Sequence, residues 1–276
     1  MRNTAFTFLA LSSLVACGGG GGGGGGDADP SQLPRYVDLA DATSTQTSGL
    51  VSHQLNPATI TVALREGTFI RADNSFTLGD LAGRIDAARK TVTLDGGGTI
   101  TLEDGDTSFV AMYTAEPFVG NPTVGVVGVS TEARDLPVSG SVSYAGSSQI
   151  VIIDGSALYE LRGSTQAAAT FQDGGGDVDI TFADLNGTRS GPGDPADVTN
   201  VARIQIDNAM IANGGFTGGT ATLTSTQITT TLSGSEVVTT SGGFYGPRAD
   251  EIGGVFVIDD TQDEGSLSLQ GSFVAN

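Results

Sequence analysis

The sequence predicts an all-β protein, an eight-stranded antiparallel β-barrel preceded by a smaller, irregular β-rich domain. Three observations carry this expectation. Apolar and β-branched residues alternate with hydroxyl and acidic ones, the pattern of half-buried strands. Clusters of Gly, Asn, Asp and Pro separate these runs at short intervals, as turns do. Helical spacing is nearly absent. The apolar share of 38% against 16% charged residues also sets the chain apart from disordered sequences, so it can build a core.

The first element is a leader. Arg2 supplies a positive start, and Thr4 to Ala16 form an apolar, small-residue stretch of the length of an export-signal core. A membrane-spanning helix needs about 20 apolar residues, which no segment of the chain supplies. The leader ends Leu14-Val15-Ala16-Cys17, which resembles the bacterial lipobox. That resemblance implies cleavage after residue 16, a lipid-modified Cys17 and a membrane anchor of acyl chains. Several chains hold far better than one, whose binding is marginal. Gly18, in place of the Asp that marks inner-membrane retention in enteric bacteria, implies delivery to the outer membrane and leaves the leaflet open. Nine glycines follow, Gly18 to Gly26, and residues 17–30 read as a flexible tether. With its only cysteine lipidated, the mature chain has no intramolecular disulfide and depends on its apolar core.

Residues 31–135 form the irregular β-rich domain. Thr59–Leu64 and Phe69-Ile70 read as strands. Thr91–Leu94, Asp95–Gly98 and Thr99–Leu102 read as strand, turn and strand. Residues 80–90 have some helical spacing through Leu81, Ile85 and Ala88, but Gly79 and Gly83 favour a strand. A boundary falls between Ser130 and Pro137.

Residues 136–276 carry the clearest alternation. Val142 and Tyr144, then Val178, Ile180 and Phe182, then Ile204 and Ile206 each mark one face of a strand. Ile252, Gly254, Phe256 and Ile258 mark another, as do Leu267, Leu269, Gly271 and Phe273. About eight runs lie between turns, enough to close an up-and-down barrel filled by side chains. In-strand glycines suit its curvature, and the Gly-Pro loop at 187–200 belongs at a barrel end.

Residues 242–256 read Gly-Gly-Phe-Tyr-Gly-Pro-Arg-Ala-Asp-Glu-Ile-Gly-Gly-Val-Phe. This resembles the signature of the barrel domain of transferrin-binding protein B and its relatives. The matching positions are Gly242, Phe244, Tyr245, Gly246, Pro247, Ala249, Glu251, Gly253, Gly254 and Phe256. A second match, Leu136-Pro137 through Gly140, Tyr144 and Gly146, is similar to the opening of that barrel. The resemblance implies a surface lipoprotein that binds a host protein or a haem or iron carrier. The large members have two lobes, each a handle and a barrel, and this chain has room for one. The motif itself is expected to be a folding device: Gly246-Pro247 turn the chain, Gly253-Gly254 admit a close neighbour, and Glu251 accepts backbone N–H bonds to fix the corner.

Composition narrows the function. Twelve Lys and Arg against 31 Asp and Glu give a net charge of −19, or −20 once Arg2 leaves with the leader. Such a surface repels nucleic acid and anionic lipid. With one Lys, one His, one Cys and no Trp, hydrolytic, zinc and redox chemistries lack ligands and bases. No catalytic residue, metal site or cofactor is expected. His53 is expected to be an exposed polar residue. The acidic runs Asp173–Asp179 and Asp259–Glu264, with Asp184, Asp194 and Asp197, are expected to be solvated turns. A transmembrane barrel is disfavoured by the few aromatics available for two girdles. The expected function is non-enzymatic capture of a host protein or an iron- or haem-bearing ligand, with an envelope-assembly lipoprotein as the second class.

Overall fold

The computed structural model describes residues 36–42, 47–70, 73–86, 88, 90–103, 105–117, 123–262 and 265–276. The leader, Cys17 and the glycine tether lie outside the described residues. The architecture is almost entirely antiparallel β, as two consecutive closed barrels.

A short helix, α1 (Leu39–Ala42), precedes the first barrel. Its eight strands are β1 (Thr47–Asn56), β2 (Thr61–Ile70), β3 (Ser75–Leu78), β4 (Leu81–Asp86), β5 (Thr91–Leu94), β6 (Gly98–Leu102), β7 (Val110–Pro117) and β8 (Thr123–Val129). They pair in sequence order, and β8 returns to β1 through Leu50↔Val129 to Leu55↔Val124. The half that looked irregular in the sequence is therefore a complete ring. Its small size conceals this, because β3, β5 and β6 are only four or five residues long and show a single period of alternation. Residues 81–86 form a strand, as the two glycines favoured. Leu50, Phe76, Leu78, Val92, Ile100, Tyr113 and Val127 fill the interior.

The second barrel comprises β9 (Gly140–Asp154), β10 (Ala157–Gln172), β11 (Gly175–Ser190), β12 (Ala196–Val198), β13 (Ala202–Ala212), β14 (Gly215–Thr217), β15 (Thr220–Ser225), β16 (Val237–Tyr245), β17 (Glu251–Gln262) and β18 (Gly265–Ala275). Eight of these ten strands make the ring, closed by β11 on β13 and by β18 on β9. β12 and β15 are side strands on β11 and β13. Inside, Phe182 stacks on Phe256 with centroids 4.7 Å apart and meets Phe273 edge-on at 5.5 Å. Phe244 lies between Phe171 at 5.1 Å and Phe216 at 5.8 Å. Such pairs add to the burial energy of each ring. This core has the faces that the alternation marked, including Val178, Ile180, Ile204, Ile206, Leu267 and Leu269.

Beyond β15, residues 226–236 cross the barrel end. Asp154 accepts from Thr229 N at 2.9 Å and from both threonine hydroxyls of 229 and 230, while Asp260 accepts from Ser233 N and Oγ at 2.7 Å each. Asp260, expected in a solvated turn, is thus buried and anchors this strap. The neighbouring Asp263 and Glu264 lie outside the described residues.

β17 is buried on both faces. Ile252, Phe256 and Ile258 point into the second barrel, while Val255 and Val257 pack against Leu55 of the first. The unbroken apolar run Val255-Phe256-Val257-Ile258 is the signature of such a strand. Its outer face positions the junction between the barrels.

Candidate functional site

The motif over 242–256 lies at that junction. β16 ends at Tyr245, Gly246 turns with φ 74°, and a 3₁₀ turn, Pro247–Ala249, leads into β17. Pro247, lacking an N–H, stands outside the ladder as its chemistry requires. Arg248 and Ala249 both have positive φ, so the corner is tightly wound.

Glu251 reaches out of the second barrel rather than bracing its own hairpin. Its Oε1 accepts from Ser108 N at 2.5 Å, and its Oε2 accepts from Phe109 N at 2.7 Å and Val110 N at 3.0 Å. One carboxylate thus caps three consecutive amides at the start of β7. Burial pushes its pKa above the usual carboxylate range, the three N–H bonds pull it back part of the way, and Asp38 adds to the rise. The sequence expectation of N–H bonds to Glu251 holds, but the amides belong to the other barrel.

The rest of the corner is clasped from the same side. Gly246 N donates to Val129 O at 3.0 Å, Thr131 N donates to Phe244 O at 2.8 Å, and Thr131 Oγ1 donates to Gly246 O at 2.6 Å. A Cβ on Gly246 would lie 2.4 Å from the Phe109 ring, so this glycine is the seat of that ring. Tyr245 is fully buried among Val110, Met112, Val126 and Val274. Within the motif, Phe244 and Phe256 enter the barrel core, and Ala249 accepts a hydrogen bond from Tyr144 at 2.8 Å. Gly254 is backed by the Gly242 Cα, and Gly242 lies under the ring of Phe216.

His53 is not exposed. It is 5% accessible on the outer face of β1, pressed against the second barrel, with Nδ1 2.8 Å from Ser241 Oγ. Burial lowers its pKa to about 4, so the ring is neutral at physiological pH. Nothing in the local sequence Val51-Ser52-His53-Gln54 marks this, because the partner lies 188 residues away.

Beside the junction a cleft of about 450 Å³ separates the barrels. Leu55, Pro57 and Val124 line it from the first, and Gln149, Arg162 and Gln270 from the second. Gln149 Nε2 and Gln270 Oε1 are buried near it without a hydrogen-bond partner. At one side Arg162 Nη1 donates to Glu103 Oε2 at 2.9 Å, an ion pair bridging the barrels. These walls offer amide and aliphatic contacts. Among the described residues no group of three or more His, Cys, Asp or Glu is placed to hold a metal, and no helix is long and apolar enough to cross a membrane.

The family described as the C-lobe and N-lobe beta barrels of Tf-binding protein B matches residues 136–276, just over half of the chain and all of the second barrel. The chain belongs to this family. Tf-binding protein B barrels are also its structural likeness. A double mutant of transferrin binding protein B from Haemophilus parasuis Hp5 superposes with a TM-score of 0.53 at 16% identity, over 82% of this chain and 44% of that one. A single mutant of the same protein gives 0.52 at 16% identity, over 82% and 45%. The haemoglobin receptor HpuA from Kingella denitrificans, in complex with human haemoglobin, gives 0.40 at 11% identity, over 91% and 93%. The chain spans less than half the length of the two transferrin binding proteins. Among curated proteins none matches.

Proposed function

We propose that this chain is a non-enzymatic, lipid-anchored binding protein of the outer membrane that captures a host protein or an iron- or haem-bearing ligand. The observation that carries the reading is the family match across the second barrel, with a first barrel docked on it as in the transferrin binding protein fold. Cys17 and the glycine tether supply the anchor and the reach. A flexible coil of nine glycines spans roughly 15–18 Å, enough to hold two barrels clear of a bilayer. The aligned region amounts to 44% of the transferrin binding protein's length, in keeping with one handle and one barrel. Residues 136–276 serve as the family barrel and 31–135 as the handle, while Gly242 to Phe256 act as the structural clasp between them.

The test is retention on the immobilised protein of transferrin and of haemoglobin, each in iron-loaded and iron-free or haem-free form, together with expression under iron limitation. Saturable retention of one of them with raised expression is expected. Retention of neither, with expression indifferent to iron, would overturn the reading.

A further inference from the structure

The cleft between the barrels has a polar floor and an apolar roof. The floor is the outer face of the second barrel. One row of it runs across four strands, with Ser272 of β18 beside Gln149 of β9, Arg162 of β10 and Asn186 of β11. Gln270 and Glu160 stand in the next row, on either side of Val151. These rows start from Val255 and Val257 of β17, which pack on Leu55 of the first barrel. Two convex barrels that touch along one strand diverge beyond it, so the polar rows face the first barrel across the space of about 450 Å³. Leu55, Pro57 and Val124 form the roof. A volume of this order suits a small ligand.

Most of the floor's polar groups are already engaged. Arg162 is held by Glu103. Asn186 donates through Nδ2 to Asp184 O at 2.5 Å and accepts from Asn200 N at 3.0 Å. The two glutamines differ. Gln270 is only 5% accessible, and its Oε1 has no hydrogen-bond partner, nor has the buried Gln149 Nε2. One end lacks a donor and the other lacks an acceptor. Buried polar groups are nearly always paired, and leaving them unpaired is costly. Both ends are covered by their neighbours. They meet a ligand by turning about the terminal amide torsion, which is broad.

We infer that this cleft binds a small, uncharged ligand with a secondary amide next to an aliphatic group, as in a short neutral peptide. The ligand N–H donates to Gln270 Oε1, its carbonyl accepts from Gln149 Nε2, and its aliphatic arm lies under Leu55 and Val124. Glu160 and Arg162, two residues apart on one face of β10, give the floor no net charge, so it selects a neutral molecule. No His, Cys, Met or Tyr is among the lining residues, so the cleft offers haem no axial ligand. It offers a sugar no aromatic ring to stack on. This site is separate from the host-protein capture proposed above, and either holds without the other.

The test is an NMR titration of the isotope-labelled full chain with N-acetyl-leucine N′-methylamide, following the side-chain amide signals of Gln149 and Gln270. The fully N-methylated counterpart has no N–H, and N-acetyl-glycine N′-methylamide has no aliphatic arm. Saturable shifts are expected with the leucine probe, and binding weaker by about tenfold or more with each comparator. Replacing both glutamines, Gln149→Leu with Gln270→Leu, removes the unpaired ends and keeps their bulk. This variant should melt no lower than the parent and bind the leucine probe about tenfold more weakly or worse. Four outcomes would overturn the inference: glutamine signals unmoved at millimolar probe, equal binding of the N-methylated peptide, a folded variant that binds like the parent, or the two glutamines hydrogen-bonded to each other in the free chain. Should the variant fail to fold, the two comparator peptides decide.

Discussion

A single carboxylate, Glu251, satisfies three amides of a neighbouring barrel. Hydrogen bonds to a charged group contribute roughly 1.5–3 kcal/mol each, and leaving buried donors without partners costs a comparable amount. Glu251→Gln keeps the shape but replaces one acceptor oxygen by an amide that faces N–H groups. It should destabilise the protein by about 2–3 kcal/mol, read as a lower melting temperature, while ligand capture by the folded fraction is unchanged. An equally stable variant that has lost capture would make the corner a binding site. His53 yields a pH prediction. Its pKa falls from 6.5 to about 4 on folding, so between those values the unfolded chain holds a proton that the folded chain refuses. Stability therefore falls as pH drops from about 6.5 toward 4, by about 3 kcal/mol in all. Above pH 6.5 the group contributes no slope. His53→Gln should flatten this part of the stability-versus-pH curve, measured by urea unfolding at each pH. A variant with the parental slope would refute the assignment.

Among the elements, β17 joins the barrels, since one face is core and the other is interface. Gly254 on this strand has no positive φ, so its smallness is a matter of space. A Cβ there would lie 2.8 Å from Gly242 Cα and from Ser241 O. Gly254→Val should cost about 1–3 kcal/mol by overpacking, seen as a lower denaturation midpoint with an unchanged urea dependence. A variant as stable as the parent would mean that β16 and β17 separate more readily than this geometry implies. Much of this level was legible in the sequence. The alternation at Val178–Phe182 and Leu267–Phe273 located real interior faces, because in a strand the inward side is set by the neighbouring residues alone. Glu251 was legible as a carboxylate awaiting N–H donors, but not as a clasp, since the amides of 108–110 are some 140 positions away and carry no local mark. His53 and Asp260 misled for the same reason. Each is polar by type and buried only through a distant partner. The first barrel was hidden by brevity, as strands of four residues show too little period to count.

At the scale of the whole molecule, two barrels meet through polar contacts and small apolar clusters, and the proposed anchor precedes them in the sequence. Cys17→Ser should leave the leader uncut or release the protein from the membrane fraction, checked by fractionation and mass of the amino terminus. Unchanged association with membranes would remove the anchor from the proposal. The closing order of the two rings has a further consequence. The first barrel seals itself when β8 meets β1, within fewer than ninety residues of chain. The second needs β18 to slide between β17 and β9, and Asn276 still exchanges backbone hydrogen bonds with Ala145. A chain emerging amino end first therefore completes one barrel early and holds the other open until its last strand arrives. During that interval β9 has an unpaired edge of nine residues, Gly146–Asp154. Any helper that shields such an edge would have a defined client and a defined moment of release, the arrival of β18.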